Sequence, residues 1–327
     1  MARRIFINGF GRIGRSVLRA WAQGRAWPEL EITGINDIAG LEAAAYLFAY
    51  DSVFGRYPGR VEEAEGALIV DGRRLAFTAE PDMAAMDLGG VDILMDCTGL
   101  STRRAAAARG LAAGAGRVLV SGPCPDADFT VVLGANEAGL SADHRVVSNA
   151  SCTTNALAPL ARLLDDAFGI ETGFMTTTHC YTGSQPTVDS PTGDLARSRA
   201  AALSMVPTTT SASRLTDLVL PQLAGRIEGA AVRVPTASVS AVELVVQLRE
   251  RIDEAQLNAV FRAAEGPIVG VTEKPLVSSD LRAMPQSVIM ALPETRVTGG
   301  GLVRVFGWYD NEWGYANRML DVAARWG

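Results

Sequence analysis

Along the first half of the chain, short β-branched runs alternate with stretches of helical composition. RIFIN, EITGIN, VDILMD, RVLVSG and FTVVLG read as strands, and GRSVLRAWAQ and TRRAAAARGLAAG between them read as helices. That alternation predicts a mostly parallel sheet covered on both faces. The second half changes character. IETGFMTTTHCY, EGAAVRVPTASVSAVELVVQLRE and LVRVFGWYD are longer strand-like runs, expected to form an antiparallel sheet, with DEAQLNAVFRAAE as a helix. A strand-poor segment from about residue 181 to 207, rich in Ser, Thr, Pro and Arg, has the length of a functional loop. The closing stretch EWGYANRMLDVAARW has helical periodicity.

Length and composition narrow the class. A chain of 327 residues suggests two domains with substantial cores, and 48% hydrophobic with 20% charged residues is ordinary for a soluble globular protein. The net charge of −6, without a basic tail, points away from nucleic acid and from anionic membranes. No stretch reaches the ~18 apolar residues of a membrane span, and the N-terminal run is too short for a secretion signal. The four cysteines, 97, 124, 152 and 180, show no C-x-x-C spacing, and the only histidines are His144 and His179. Neither a structural zinc site nor a disulfide framework is expected, and reduced thiols suit a cytoplasmic protein with no metal.

RIFINGFGRIGRSVL carries Gly9, Gly11 and Gly14 in G-x-G-x-x-G spacing, after a strand and opening a helix. Gly9 allows the tight turn, Gly11 lets backbone approach a pyrophosphate, and Gly14 lets helix and strand pack closely. The helix N-terminus then offers free N–H groups to the phosphates. The next strand ends at Asp37, 23 residues beyond Gly14, where a ribose-binding acid belongs. A tight strand–helix turn alone explains the glycines, and a surface acid alone explains Asp37. Together they point to a dinucleotide site. A carboxylate there accepts from ribose hydroxyls and repels a 2′-phosphate, which favours NAD over NADP.

SNASCTTNALAPL places Cys152 among hydroxyl residues just ahead of an apolar stretch. A structural cysteine prefers apolar neighbours. A helix starting near Thr153 would put the thiol at its N-terminal end, where N–H groups and the macrodipole lower a thiol pKa, and Pro159 would lie inside it. His179 ends the run FMTTTH, whereas His144 sits in the polar turn SADHR. A histidine at a strand end is most simply a packed residue. Beside Cys152 and a dinucleotide signature, His179 becomes a general base for aldehyde oxidation through a thioester.

INGFGRIGR, SNASCTTN, TTTH, VRVPT and WYDNEWGYANR, in this order along essentially the whole chain, resemble phosphorylating glyceraldehyde-3-phosphate dehydrogenases. Erythrose-4-phosphate dehydrogenases share most of these motifs. The resemblance implies a Rossmann-type doubly wound NAD-binding domain (1–150 and 311–327) and an α+β catalytic domain (151–310) with a mainly antiparallel sheet. It implies Cys152 as nucleophile and His179 as base. It implies NAD held by Asn8, Gly9, Gly11, Arg12, Ile13, Gly14, Asp37, Thr98, Ser121 and Asn311, with Tyr315 near the nicotinamide end. The phosphate of the substrate would use Thr182, Arg197 and Arg233. Attacking inorganic phosphate would use Ser151, Thr153, Thr210, Ser211 and Arg199. Loop 181–207 would lie at the centre of a homotetramer. Single loop arginines are usually solvated or salt-bridged, yet an arginine fork suits phosphate, and an acidic protein acting on a sugar phosphate needs such local forks.

Three positions depart from the family pattern. Ala156 stands where a second cysteine is usual, Ser211 where glycine follows the threonines, and Ser190 where NAD-specific members often have leucine. The expected reaction is NAD-dependent oxidation of glyceraldehyde 3-phosphate to 1,3-bisphosphoglycerate. The alternatives are erythrose 4-phosphate oxidation with water as acceptor, or a non-catalytic NAD-binding protein that keeps the fold.

Overall fold

The computed structural model describes residues 2–24 and 26–326. Met1, Arg25 and Gly327, which fall in the spans expected for the nucleotide-binding domain, lie outside the described residues. The chain forms two compact units, one of residues 1–131, 136–150 and 316–327, the other of 132–135 and 151–315.

The first unit is built on a nine-stranded sheet. From its middle strand, Arg3–Asn8, the chain runs to one side through Leu30–Asn36 and Arg73–Thr78, and to the other through Ile93–Asp96, Arg117–Val120, Val146–Ser148 and Phe129–Thr130. These seven strands pair in parallel. The central strands are buried almost throughout, which is why they read as continuous hydrophobic runs. Reversal of strand order beside Arg3–Asn8 creates a crevice at the C-terminal strand ends, the usual ligand position in such sheets. The expected Rossmann-type fold is present. Two features differ from the sequence reading. FTVVLG supplies only a two-residue strand, Phe129–Thr130. An antiparallel extension, Val61–Ala64 and Ala67–Val70, finishes one edge. Arg3 Nη1 donates to the Ala323 and Ala324 carbonyls (2.7 and 2.5 Å), capping the end of the terminal helix Trp313–Arg325.

The second unit is an α+β body on a mixed, mainly antiparallel sheet. Its strands Ser240–Leu248 and Leu302–Tyr309 alternate buried and half-buried positions, the signature of a sheet with one closed face. The run EGAAVRVPTASVSAVELVVQLRE is not one element. It divides into Ile227–Val234 and Ser240–Leu248, and Ile170–Cys180 inserts between them, parallel to the first and antiparallel to the second. Pro235, which has no N–H for a ladder, and Val239, at φ 66°, make the break. The helix Glu254–Ala263 starts where expected because Asp253 and Gln256 form a capping box. No regular strand occupies 181–205.

Candidate active site

The glycine turn has the shape that its spacing predicts. Gly9 takes φ +87°, and a Cβ there would lie 2.7 Å from the Thr98 nitrogen. At Gly14 a Cβ would fall 2.2 Å from the Gly9 carbonyl oxygen. Gly11 instead faces open space, leaving backbone free to meet a ligand. Arg12 and Ile13 open the helix Arg12–Gly24. Asn8, Gly9, Gly11, Asp37 and Thr98 line a cleft of about 460 Å3. Asp37 Oδ2 accepts from the Phe10 N–H (2.6 Å) and Oδ1 from that of Ala39 (2.9 Å), so the carboxylate is held at the glycine turn. A pyrophosphate on the helix N-terminus and a ribose on Asp37 fit these residues. Arg12 is tied to Asp51, whose carboxylate also takes the Val53 and Phe54 N–H groups. Ser121 lies beyond the C-terminal end of its strand, its N–H donating to the Asp96 carbonyl (2.9 Å).

In the second unit, Cys152 opens the helix Cys152–Phe168, one residue earlier than expected, and Pro159 lies inside it. Ser151 is its N-cap, accepting the Thr154 N–H at 3.1 Å. Ala150, just before, takes φ 54°, left-handed backbone that costs energy in a non-glycine residue. The thiol of half-buried Cys152 stands 3.6 Å from His179 Nε2.

The electrostatics correct one expectation. Burial pushes the Cys152 thiol up from its ordinary value; the Arg233 charge and the N–H groups of Cys152 and Thr153 oppose it. Burial, then the Arg233 charge, lowers His179 to about 4. Both burial effects favour the uncharged pair. At this helix N-terminus, removal of the sulfur from water opposes the N–H groups, and the net direction is upward.

Arg233 Nη1 lies 2.6 Å from His179 Nδ1 and 2.9 Å from the Cys180 carbonyl oxygen. Tyr309, which sequence reasoning missed, bridges the Thr153 and Thr177 hydroxyls at 2.9 and 2.8 Å and packs edge-on to His179. The inward alternation of LVRVFGWYD was the available signal.

Cys152, His179, Thr153 and Arg233 thus form one cluster. The other candidates have local partners. Thr182 shares a hydrogen bond with the Ser184 hydroxyl (3.0 Å). Arg197 donates to the Thr208 and Thr209 hydroxyls, and Arg199 pairs with Asp189 at 2.8 Å, both exposed. Thr210 accepts the Ala212 N–H, and Ser211 precedes the helix Ala212–Val219 with φ −87°, a conformation that needs no glycine. Asn311, expected near the cofactor, accepts from the Cys180 thiol (3.1 Å) and the Ser240 hydroxyl (3.3 Å), and Tyr315 is buried.

Residues 3–104 match the family described as the NAD binding domain of glyceraldehyde 3-phosphate dehydrogenase, and residues 151–311 match its C-terminal domain. Proteins named glyceraldehyde-3-phosphate dehydrogenase are similar along their whole length. That of Cereibacter sphaeroides is 48% identical over 100% of this chain and 99% of its own, and that of Xanthobacter flavus 49% over the same shares. The Pseudomonas aeruginosa protein is 49% identical over 99% of this chain and 98% of its own. With a dinucleotide cleft in one unit and a Cys–His pair at a helix N-terminus in the other, the chain belongs to the glyceraldehyde-3-phosphate dehydrogenase family.

Proposed function

We propose that this protein catalyses NAD-dependent oxidation of glyceraldehyde 3-phosphate to 1,3-bisphosphoglycerate. The observation that carries the reading is the Cys152–His179 pair at 3.6 Å beside the Arg233 cation. Cys152 Sγ adds to the aldehyde carbon and forms a thiohemiacetal. His179 takes the hydroxyl proton at Nε2 as hydride leaves the same carbon, and the product is a thioester on Sγ. NAD, when bound, supplies the hydride acceptor. Inorganic phosphate then attacks the thioester, and Sγ departs as the leaving group. Thr182, Arg197 and Arg233 serve the phosphate of the substrate. Ser151, Thr153, Thr210, Ser211 and Arg199 serve the attacking phosphate.

The experiment is acyl-enzyme breakdown with and without phosphate, in wild type and Ser211→Gly. Ordinary backbone at Ser211 and a hydroxyl able to donate to an oxyanion support a large phosphate stimulation in wild type. One such bond to a charged acceptor contributes about 1.5–3 kcal/mol. Breakdown by water at the same rate, with stimulation only in the glycine variant, would overturn the phosphorylating reading in favour of water as acceptor.

Asp37 is proposed to read the ribose. In Asp37→Ala, loss of a charged acceptor is expected to weaken NAD binding by roughly 10- to 100-fold, with NADP binding relatively better. Titration of both nucleotides against both proteins is the check; an unaltered preference would remove Asp37 from that role. Four free thiols suit a cytoplasmic enzyme. Exposed Val188, Leu195, Leu203 and Met205 in the 181–205 loop support a homotetramer, which sedimentation equilibrium tests.

A further inference from the structure

Cys180 is a buried thiol that the proposed reaction does not use. It ends the strand Ile170–Cys180, and Ser240 opens the neighbouring antiparallel strand. Ser240 pairs in turn with Tyr309, two residues before Asn311. Cys180, Ser240 and Asn311 therefore meet at one end of the sheet. The Ser240 hydroxyl accepts the Cys180 N–H at 3.1 Å, so its own proton is directed to a further acceptor. Asn311 Oδ1 lies 3.3 Å from that hydroxyl and 3.1 Å from the Cys180 sulfur. Two donors converge on one carbonyl oxygen, which occupies both of its lone pairs. Nδ2, the donor end of the same amide, has no partner among the described residues and is not sealed from solvent. Asn311 as a whole is only 5% exposed. A buried amide with a saturated acceptor and an idle donor is prepared for an acceptor from outside the chain.

We propose that Cys180 is a positioning residue for the cofactor: with Ser240 it holds the Asn311 amide so that Nδ2 donates to the carboxamide oxygen of nicotinamide. This rests on the NAD-dependent function proposed above. A carboxamide has one carbonyl oxygen and an N–H2 group, so an asparagine amide can meet it in either orientation. Only the orientation with Oδ1 turned inward keeps both internal donors paired. Reversed, Nδ2 would face the thiol and hydroxyl protons, and the thiol could answer only as a weak acceptor. The choice between the two orientations is thus made by Cys180 and Ser240 before any cofactor arrives. That pre-organisation lowers the cost of ordering the amide on binding.

Charge state and backbone support the same arrangement. Burial raises the Cys180 thiol to about 12, so it keeps its proton and remains a donor through neutral pH. The backbone beside Asn311 is fixed by Asp310, whose carboxylate accepts the N–H groups of Ala283, Glu312 and Trp313 at 2.8, 3.0 and 2.9 Å. Asn311 is therefore held both through its side chain and through the residue before it.

The test compares NAD with ADP-ribose, which lacks nicotinamide, by titration calorimetry on the full chain. Cys180→Val removes the thiol donor at similar volume. It should weaken NAD binding about 3- to 10-fold, the size of one neutral hydrogen bond, and leave ADP-ribose binding unchanged. Cys180→Ser keeps a donor and should restore most of the NAD affinity. Equal loss for NAD and ADP-ribose would reduce Cys180 to a packing role and overturn the proposal. So would unchanged NAD affinity in Cys180→Val. Two cofactor analogues test the amide orientation in wild type, even if Cys180→Val does not fold. 3-Acetylpyridine adenine dinucleotide keeps the carbonyl oxygen and lacks the amide N–H2 group. It should bind more tightly than thionicotinamide adenine dinucleotide, whose sulfur is the weaker acceptor. The reverse order would mean that Asn311 presents its oxygen, and the proposal would fall. Wild type that binds NAD with the expected preferences but does not reduce it with glyceraldehyde 3-phosphate would instead overturn the proposed reaction and leave Cys180 in its role.

Discussion

Cys152→Ser is expected to lower acyl-enzyme formation by several orders of magnitude while leaving NAD affinity unchanged. A serine hydroxyl is far less ionised than a thiol and a poorer nucleophile toward an aldehyde carbon. The structure sharpens the expectation. Burial already pushes the Cys152 thiol up, so what makes it usable is the local set of the Arg233 charge, the N–H groups at the helix start, and His179 at 3.6 Å. Serine would keep those neighbours without a group they can ionise. Because the oxygen replaces sulfur without altering the N-cap at Ser151, the helix should remain intact, and the cofactor cleft lies in the other compact unit. A single-turnover NADH burst measures the first effect and nucleotide titration the second. Near-normal burst amplitude and rate in the serine variant would remove Cys152 from the nucleophile role.

The second large effect is expected at His179→Asn. Loss of a general base typically costs about 100- to 10,000-fold. The asparagine amide can still reach toward the Cys180 carbonyl that His179 faces at 2.7 Å, so the loss reads proton transfer more than folding. The pH dependence adds a signature with a definite sign. His179 must be neutral to accept a proton, and burial with the Arg233 charge holds it down to about 4. In wild type, the part of the kcat/KM profile that His179 contributes should therefore be an acid limb near that value, well below neutral pH. In His179→Asn the same acid limb should vanish from the residual activity. A variant with reduced rate but the wild-type acid limb would show that another group supplies the base.

The features legible without coordinates are those that a few neighbouring residues dictate. The G-x-G-x-x-G turn is one: the positive φ at Gly9 and the missing Cβ at Gly14 are requirements of a single turn. The starts of the helices at Cys152 and Glu254 are others, since the side chains that cap them, Ser151, Asp253 and Gln256, bond backbone within three residues of themselves. Alternation of short strand-like runs with helical stretches in the first half, against longer strand-like runs in the second, told the parallel sheet from the mainly antiparallel one.

What only the tertiary structure decided depends on pairing between distant segments. Insertion of Ile170–Cys180 between the two parts of 227–248 is invisible to local pattern, because strand order is chosen by the sheet as a whole. That insertion puts Arg233 in register with His179, and the pairing of Ser240–Leu248 with Leu302–Tyr309 brings up the strand whose last residue, Tyr309, meets Thr153 and Thr177. The protonation of the pair was undecidable from the helix start alone. A helix N-terminus favours a thiolate, but withdrawal from water favours the thiol, and the depth of burial is a property of everything packed around Cys152 rather than of the residues beside it in the chain.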